Sequence, residues 1–123
     1  MLYEVIAIFL GGGLGAVLRY LITQYSNRSF GISHYGTFAV NVLGCLLIGF
    51  VIGITINKIT LPNELKLFIM VGFLGGLTTF STFNSETFYL LKSGNILHGL
   101  GYVMISCVLG LLSTCAGYYL GKI

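Results

Sequence analysis

Twelve residues near the middle of the chain, Gly75-Gly76-Leu77-Thr78-Thr79-Phe80-Ser81-Thr82-Phe83-Asn84-Ser85-Glu86, interrupt an otherwise membrane-grade apolar segment. A helix that faces only lipid has no use for two glycines followed by a run of hydroxyls. Such groups are tolerated at membrane depth only where protein or a water-filled path satisfies them. The stretch therefore reads as the lining of a route for something small and polar. Phe80 and Phe83 are three residues apart and share a helical face, with Ser81 and Thr82 turned toward another. Phenyl rings at that spacing commonly just pack. Yet a phenyl edge is electropositive, so ring edges beside hydroxyl and amide donors can hold an anion without a charged residue.

Other polar residues fall inside apolar stretches. Asn41 lies between Val40 and Val42, and Tyr102, Ser106, Ser113 and Thr114 are spaced along the last apolar run. A hydroxyl can bond back to its own helix; an amide satisfies itself less easily, which singles out Asn41. Gly75-Gly76 is expected to interrupt its helix. The half-helix ends would then point into the membrane, with carbonyls for a cation and amides for an anion. The only acidic residues are Glu4, Glu64 and Glu86. His34 and His98 lie in or beside loops, where solvated surface roles are expected. No nucleophile–base pair or metal-ligand cluster emerges, so the chain does not read as an enzyme.

The elements that must position these residues are membrane helices. Of 123 residues, 56% are hydrophobic and 7% charged, against about 25% charged in soluble domains. A spanning helix needs about 20 mostly apolar residues. Four candidates appear, roughly at 3–23, 37–56, 65–91 and 96–120, forming one membrane domain over 1–123. Breakers lie between them: Ser26-Asn27-Arg28-Ser29 with Gly31, Asn57-Lys58 through Pro62-Asn63, and Lys92-Ser93-Gly94-Asn95. Each span carries a glycine pair at GxxxG spacing: Gly11/Gly15, Gly49/Gly53, Gly72/Gly76 and Gly117/Gly121. Such pairs let helices approach closely in lipid. One per span implies a tight bundle with little room for a wide pore.

Several classes drop out. Gly11-x-Gly13-x-x-Ala16 matches a dinucleotide fingerprint, but that motif needs a preceding strand and an acidic residue about 20 positions on, and none lies between Glu4 and Glu64. Cys45, Cys107 and Cys115 all fall in apolar spans and read as small hydrophobes. The six basic residues are scattered, which argues against nucleic acid as a partner. The first span has no Lys or Arg before Arg19 and no small-residue cleavage site, so it is not expected to be a cleaved signal.

Four spans put both termini on one side, with Lys58, Lys66 and Lys122. The other side holds Arg28, Lys92 and, by snorkelling, Arg19: three against three. Orientation normally follows a Lys/Arg excess. Without one, copies can insert both ways, and an antiparallel homodimer becomes possible. An inverted pair reproduces the inverted-repeat symmetry that transporters usually encode in one chain.

These motifs resemble the CrcB/Fluc family of fluoride channels, over the whole chain. Gly12-Gly13-x-Gly15-Ala16-x-x-Arg19-Tyr20 is similar to the family's first-helix signature, and Gly36-Thr37-x-x-Val40-Asn41-x-x-Gly44 to its second. Gly75-Gly76-x-Thr78-Thr79-Phe80-Ser81-Thr82-Phe83, with Glu86 following, resembles its third-helix break and is the most specific of the three. The resemblance implies an antiparallel, dual-topology homodimer in the cell membrane, with two fluoride pathways. It implies that Phe80 and Phe83 form an aromatic box, that Asn41, Tyr102 and Ser106 contact the ion or shape its path, and that Ser81, Thr82 and Thr114 form a polar track. It places Arg19 at the vestibule with Glu86, and a structural sodium ion on the backbone carbonyls of Gly75 and Thr78. The alternative is a small multidrug-resistance exporter, which needs an intramembrane carboxylate; only Glu4 and Glu86 approach that role. A third class, a non-conducting scaffold, explains the glycines but not the Thr/Ser/Phe cluster.

Overall fold

The computed structural model describes residues 1–57 and 60–123, and the regular structure of its described residues is all helical, without strands. The helices are α1 (Leu2–Phe30), α2 (Ser33–Asn57), α3 (Asn63–Lys66), a π-helical stretch (Leu67–Phe73), α4 (Leu74–Leu77), α5 (Phe80–Lys92) and α6 (Ile96–Lys122). Four spans are long and apolar enough to cross a membrane: Leu2–Phe30, His34–Ile56, Asn63–Lys92 and Ile96–Lys122. The third is a composite of α3, the π stretch, α4 and α5. Lys58, counted above for orientation, lies outside the described residues.

The residues at the helix ends explain the boundaries. Pro62 precedes α3, where its missing N–H costs nothing. Gly31 closes α1 in the left-handed conformation at φ 67°, its amide donating to Asn27 O, a conformation glycine adopts without strain. Ser26-Asn27-Arg28-Ser29, expected as a loop, instead form the last turn of α1. The breaker there is Gly31 alone. Ser26 is buried where Gly36 of α2 comes close, so packing overrides its weak helix propensity.

The glycine pairs find each other. On α1, a Cβ at Gly11 or Gly15 would strike the Phe68 and Phe73 carbonyls, and one at Gly72 or Gly76 would strike Ile8 O and Gly12 O of α1. On the other side, Gly49 and Gly53 lie on the Thr114 and Tyr118 carbonyls, while Gly117 and Gly121 lie on Leu46 O and Phe50 O. Two backbone-to-backbone seams result, α1 against the first half of the third span and α2 against α6. In lipid such contact supplies packing and weak Cα–H···O bonds where no hydrophobic force separates apolar faces.

The third span changes partners along its length. Its first half, through α4, packs on α1, and its second half, α5, packs on α6. The buried core is correspondingly small: Val40, Leu74 and Leu77, with Ile22, Leu47, Ile48, Ile69 and Phe73 around it. Most large apolar side chains point outward, as they do when the solvent is hydrocarbon.

Replacing Gly117 with Leu should destabilise the bundle by at least about 1–3 kcal/mol, the usual cost of overpacking. The obstacle is backbone, at Leu46 O and Phe50 N. A lower thermal unfolding midpoint in detergent checks it; an unchanged midpoint would contradict the α2–α6 seam.

Candidate functional site

The helix break lies at Thr78–Thr79, not at the double glycine. Thr78 is extended at φ −83°, ψ 156°, and Thr79 at φ −150°, ψ 117°. Gly75 and Gly76 are helical, within α4. Gly76 serves the α1 seam, whereas Gly75 is open, with only Met70 O at 4.0 Å from an added Cβ. Gly72 and Gly76 are packing residues; the interruption falls on two β-branched threonines, whose side chains suit extended backbone.

What holds the break open is Asn41. Its Oδ1 accepts the Thr79 amide at 2.8 Å, and its Nδ2 donates to the Thr79 carbonyl at 3.2 Å. In a continuous helix the Thr79 amide would go to the Gly75 carbonyl; here it is diverted. Thr79 then caps α5. Its Oγ1 accepts the Thr82 amide at 3.3 Å and donates to Thr82 Oγ1 at 3.0 Å. The Thr82 amide would otherwise go to the Thr78 carbonyl. So the carbonyls of Gly75 and Thr78 both lose their helical donors, and both residues line one hollow of about 320 Å³ with Asn41, Gly44, Thr79 and Phe80. Thr78 Oγ1 is spent on Leu74 O at 2.9 Å.

A single stripe of α2 reads the opposite wall. Thr37, Asn41 and Gly44 follow helical spacing. Thr37 Oγ1 donates to Glu86 Oε1 at 2.8 Å, Asn41 holds Thr79, and Gly44 lies against the Thr78 methyl. From α6, Tyr102 donates to Glu86 Oε2 at 2.9 Å. Both Glu86 oxygens are thus engaged by hydroxyls. Arg19 makes no ion pair with Glu86; among the described residues the one salt bridge joins the N-terminal ammonium to Glu4.

The other expected residues divide. Phe80 and Phe83 lie together, centroids 6.0 Å apart, and Phe83 also meets Tyr102 at 5.0 Å. Phe83 is buried, whereas Phe80 is 77% exposed. One turn beyond Tyr102, Ser106 Oγ is buried without a hydrogen-bond partner, a donor in wait. Ser81 and Thr82 are exposed in the first turn of α5. Thr114 is not brought to this group. It stands about 18 Å beyond Tyr102 and about 12 Å beyond Ser106 along α6, and its hydroxyl donates to Gly110 O at 3.1 Å. Thr37 was not among the expected site residues, although its place in the second-helix motif was the available signal.

A polar break, uncharged donors and neighbouring rings thus meet within an apolar span. Residues 6–118 match the family model described as CrcB-like protein, Camphor Resistance (CrcB). The chain belongs to this family. Relatives within it agree over nearly full length. A protein of Bacteroides fragilis is 46% identical over 123 residues, covering 97% of this chain and 96% of its own. One of Pseudomonas putida is 45% identical, covering 99% of both chains. One of Chloroflexus aurantiacus is 44% identical, covering 97% of this chain and 95% of its own. Each of the three is named Fluoride-specific ion channel FluC. The sequence resemblance to the CrcB/Fluc family is therefore borne out, and the protein is a multi-pass membrane protein.

Asn41 offers the sharpest structural test. Asn41→Leu would orphan the Thr79 N–H and C=O, costing about 1–3 kcal/mol for each buried group. Asn41→Asp keeps the acceptor and should lose less. Chemical denaturation in detergent should rank wild type above Asp above Leu. A Leu variant as stable as wild type would show that the break does not depend on this amide.

Proposed function

We propose that the chain is a fluoride-selective channel that lets the ion leave the cell passively and so relieves its toxicity. It works as an antiparallel homodimer with two pathways and a central sodium ion. The observation that carries the reading is full-length similarity to proteins named as fluoride-specific channels, combined with a break lined by uncharged donors.

The energetics favour this construction. Burying even a carboxylate-sized ion costs on the order of 20 kcal/mol in the idealised limit, and fluoride is smaller. One hydrogen bond to a charged group returns about 1.5–3 kcal/mol, so a succession of donors is required. Asn41 has a second Nδ2 hydrogen, beyond the one given to Thr79, and Ser106 Oγ is unpartnered. Phe80 and Phe83 add ring edges between them. Ser81 and Thr82 offer hydroxyls at the α5 N-terminus; Thr114 would join the track only further along α6, and by releasing its hydrogen from Gly110 O. Arg19 supplies positive charge at the vestibule. Fixed cations deep in the path would bind the ion too well to release it. The exporter alternative needs a carboxylate free to bind cationic drugs and exchange protons; Glu86 is already held by Thr37 and Tyr102.

The dimer follows from what a single chain leaves uncovered. The hollow at the break opens on its surface, and Phe80 is largely exposed there. Orphaned carbonyls cannot face hydrocarbon. An inverted second copy would close the hollow, and its own Gly75 and Thr78 carbonyls would meet this pair. Such converging carbonyls at a half-helix end suit sodium, which would neutralise their dipoles and tie the copies together.

Two measurements test the reading. Liposomes carrying the wild-type protein should release fluoride passively and retain chloride; retention of both overturns the assignment. In the same assay, Phe80→Ile or Phe83→Ile should cut efflux by orders of magnitude while the dimer still purifies, since near-isovolumetric swaps typically cost under about 1.5 kcal/mol. Wild-type rates in both variants would make the rings packing residues. For the cation, exchanging all sodium for a bulky organic cation should abolish efflux or dissociate the dimer, and full activity under those conditions would remove sodium from the proposal.

A further inference from the structure

His34 is not solvated in isolation, as its place near a loop had suggested. It sits in the first turn of α2, on the same stripe as Thr37 and Asn41. Its ring lies 5.3 Å from that of Tyr102 and 5.1 Å from that of Tyr35. It completes an unbroken file of rings. Phe30 meets Tyr35 at 6.4 Å, Tyr35 meets His34, His34 meets Tyr102, Tyr102 meets Phe83 at 5.0 Å, and Phe83 meets Phe80 at 6.0 Å. The file runs from the α1–α2 corner to the helix break, and His34 is its one imidazole. Beside it an open groove, lined by His34, Tyr35, Phe38, His98 and Tyr102 among others, lies between the α1–α2 and α5–α6 turns.

We propose that His34 is a charge switch at the mouth of the pathway, positioning Tyr102 and raising fluoride flux when its imidazole is protonated. The inference rests on the channel reading above. Histidine is the side chain suited to a change of charge. When protonated, it sets a cation within 5.3 Å of the Tyr102 ring, a distance at which aromatic rings attract cations. The same cation raises the local concentration of an approaching anion. When neutral, the ring only buttresses Tyr102.

The surrounding groups are few. On α2 itself there is Tyr35. From α6 come Tyr102 and the exposed His98, which lines the same groove. From α5 comes Glu86, one hydrogen bond beyond Tyr102. Arg28 and Lys92 lie near this end of the bundle but do not line the groove. His34 and His98 are therefore the two imidazoles there, and only His34 belongs to the ring file. Because copies face both ways in the proposed dimer, each membrane surface presents one His34, and acid on either side acts.

The test is fluoride efflux from liposomes at pH 7.5 and 5.5, with protein-free vesicles subtracting leakage of neutral hydrogen fluoride. Wild-type flux should rise roughly three- to tenfold at the lower pH, at the modest end of what a focused charge does to ion encounter. His34→Phe keeps a ring against Tyr102 but cannot be charged. It should conduct at pH 7.5 and lose the rise. His34→Gln should also lose the rise, with lower flux at both pH values because the ring support is gone. His98→Gln should keep the rise. A rise that persists in both His34 variants, or a wild type without one, overturns the inference and leaves the channel reading intact. A wild type that passes no fluoride at either pH overturns both.

Discussion

A backbone group inside a bilayer must have a partner, and this structure turns on how that demand is met at Thr78–Thr79. Breaking a helix there frees amides and carbonyls that hydrocarbon cannot solvate. Asn41 answers both groups of Thr79, and the Thr79 side chain answers the amide of Thr82. The demand is met asymmetrically. The amides of Thr79 and Thr82 find side-chain acceptors, while the carbonyls of Gly75 and Thr78 are left without their helical donors.

The glycine seams matter because the break can be kept only on a stiff frame. α1 is locked to the first half of the third span, and α2 to α6, by backbone contacts that admit no Cβ. The stripe of α2 that carries Thr37, Asn41 and Gly44 is therefore fixed relative to α6, and so relative to Tyr102 and Ser106. The first half of the third span is fixed on α1. The two halves then cannot align into one straight helix without one of them leaving its partner. The break, in this light, is the joint between two seams.

Much of this was legible in the residues, and the failures share a cause. The spans, the glycine pairs and the importance of Asn41 came from hydropathy, spacing and the difficulty of satisfying an amide in an apolar run. The position of the break did not. Gly75-Gly76 looked like the interruption because glycine disrupts helices in water, where backbone entropy decides. In lipid the same residue buys close approach, and the extended residues are threonines. Ser26 through Ser29 failed likewise: their polarity suggested a loop, yet the helix continues to Gly31 because Ser26 packs under α2. Arg19 and Glu86 attract on paper, but two hydroxyls from α2 and α6 reach the carboxylate instead. Those partners are 49 and 16 positions away in sequence, respectively. No local pattern in the chain announces such distant pairs.

That clamp on Glu86 bears on how a carboxylate could stand beside the proposed anion path. A hydroxyl has a single hydrogen, and Thr37 and Tyr102 have each given theirs to Glu86. An anion that took either hydrogen would have to displace a carboxylate oxygen from it. Such a step exchanges one charged acceptor for another, so the donor is never left bare and the exchange is close to even in hydrogen-bond terms. What it costs is repulsion between two negative charges, and that cost falls if the carboxylate swings away or the mouth carries a positive charge. The ring file places His34 against Tyr102, the hydroxyl for which the two anions would compete. A cation there would offset the repulsion at the point where it is largest; a histidine on this stripe, rather than a lysine fixed in charge, would suit a path that must also let the ion go.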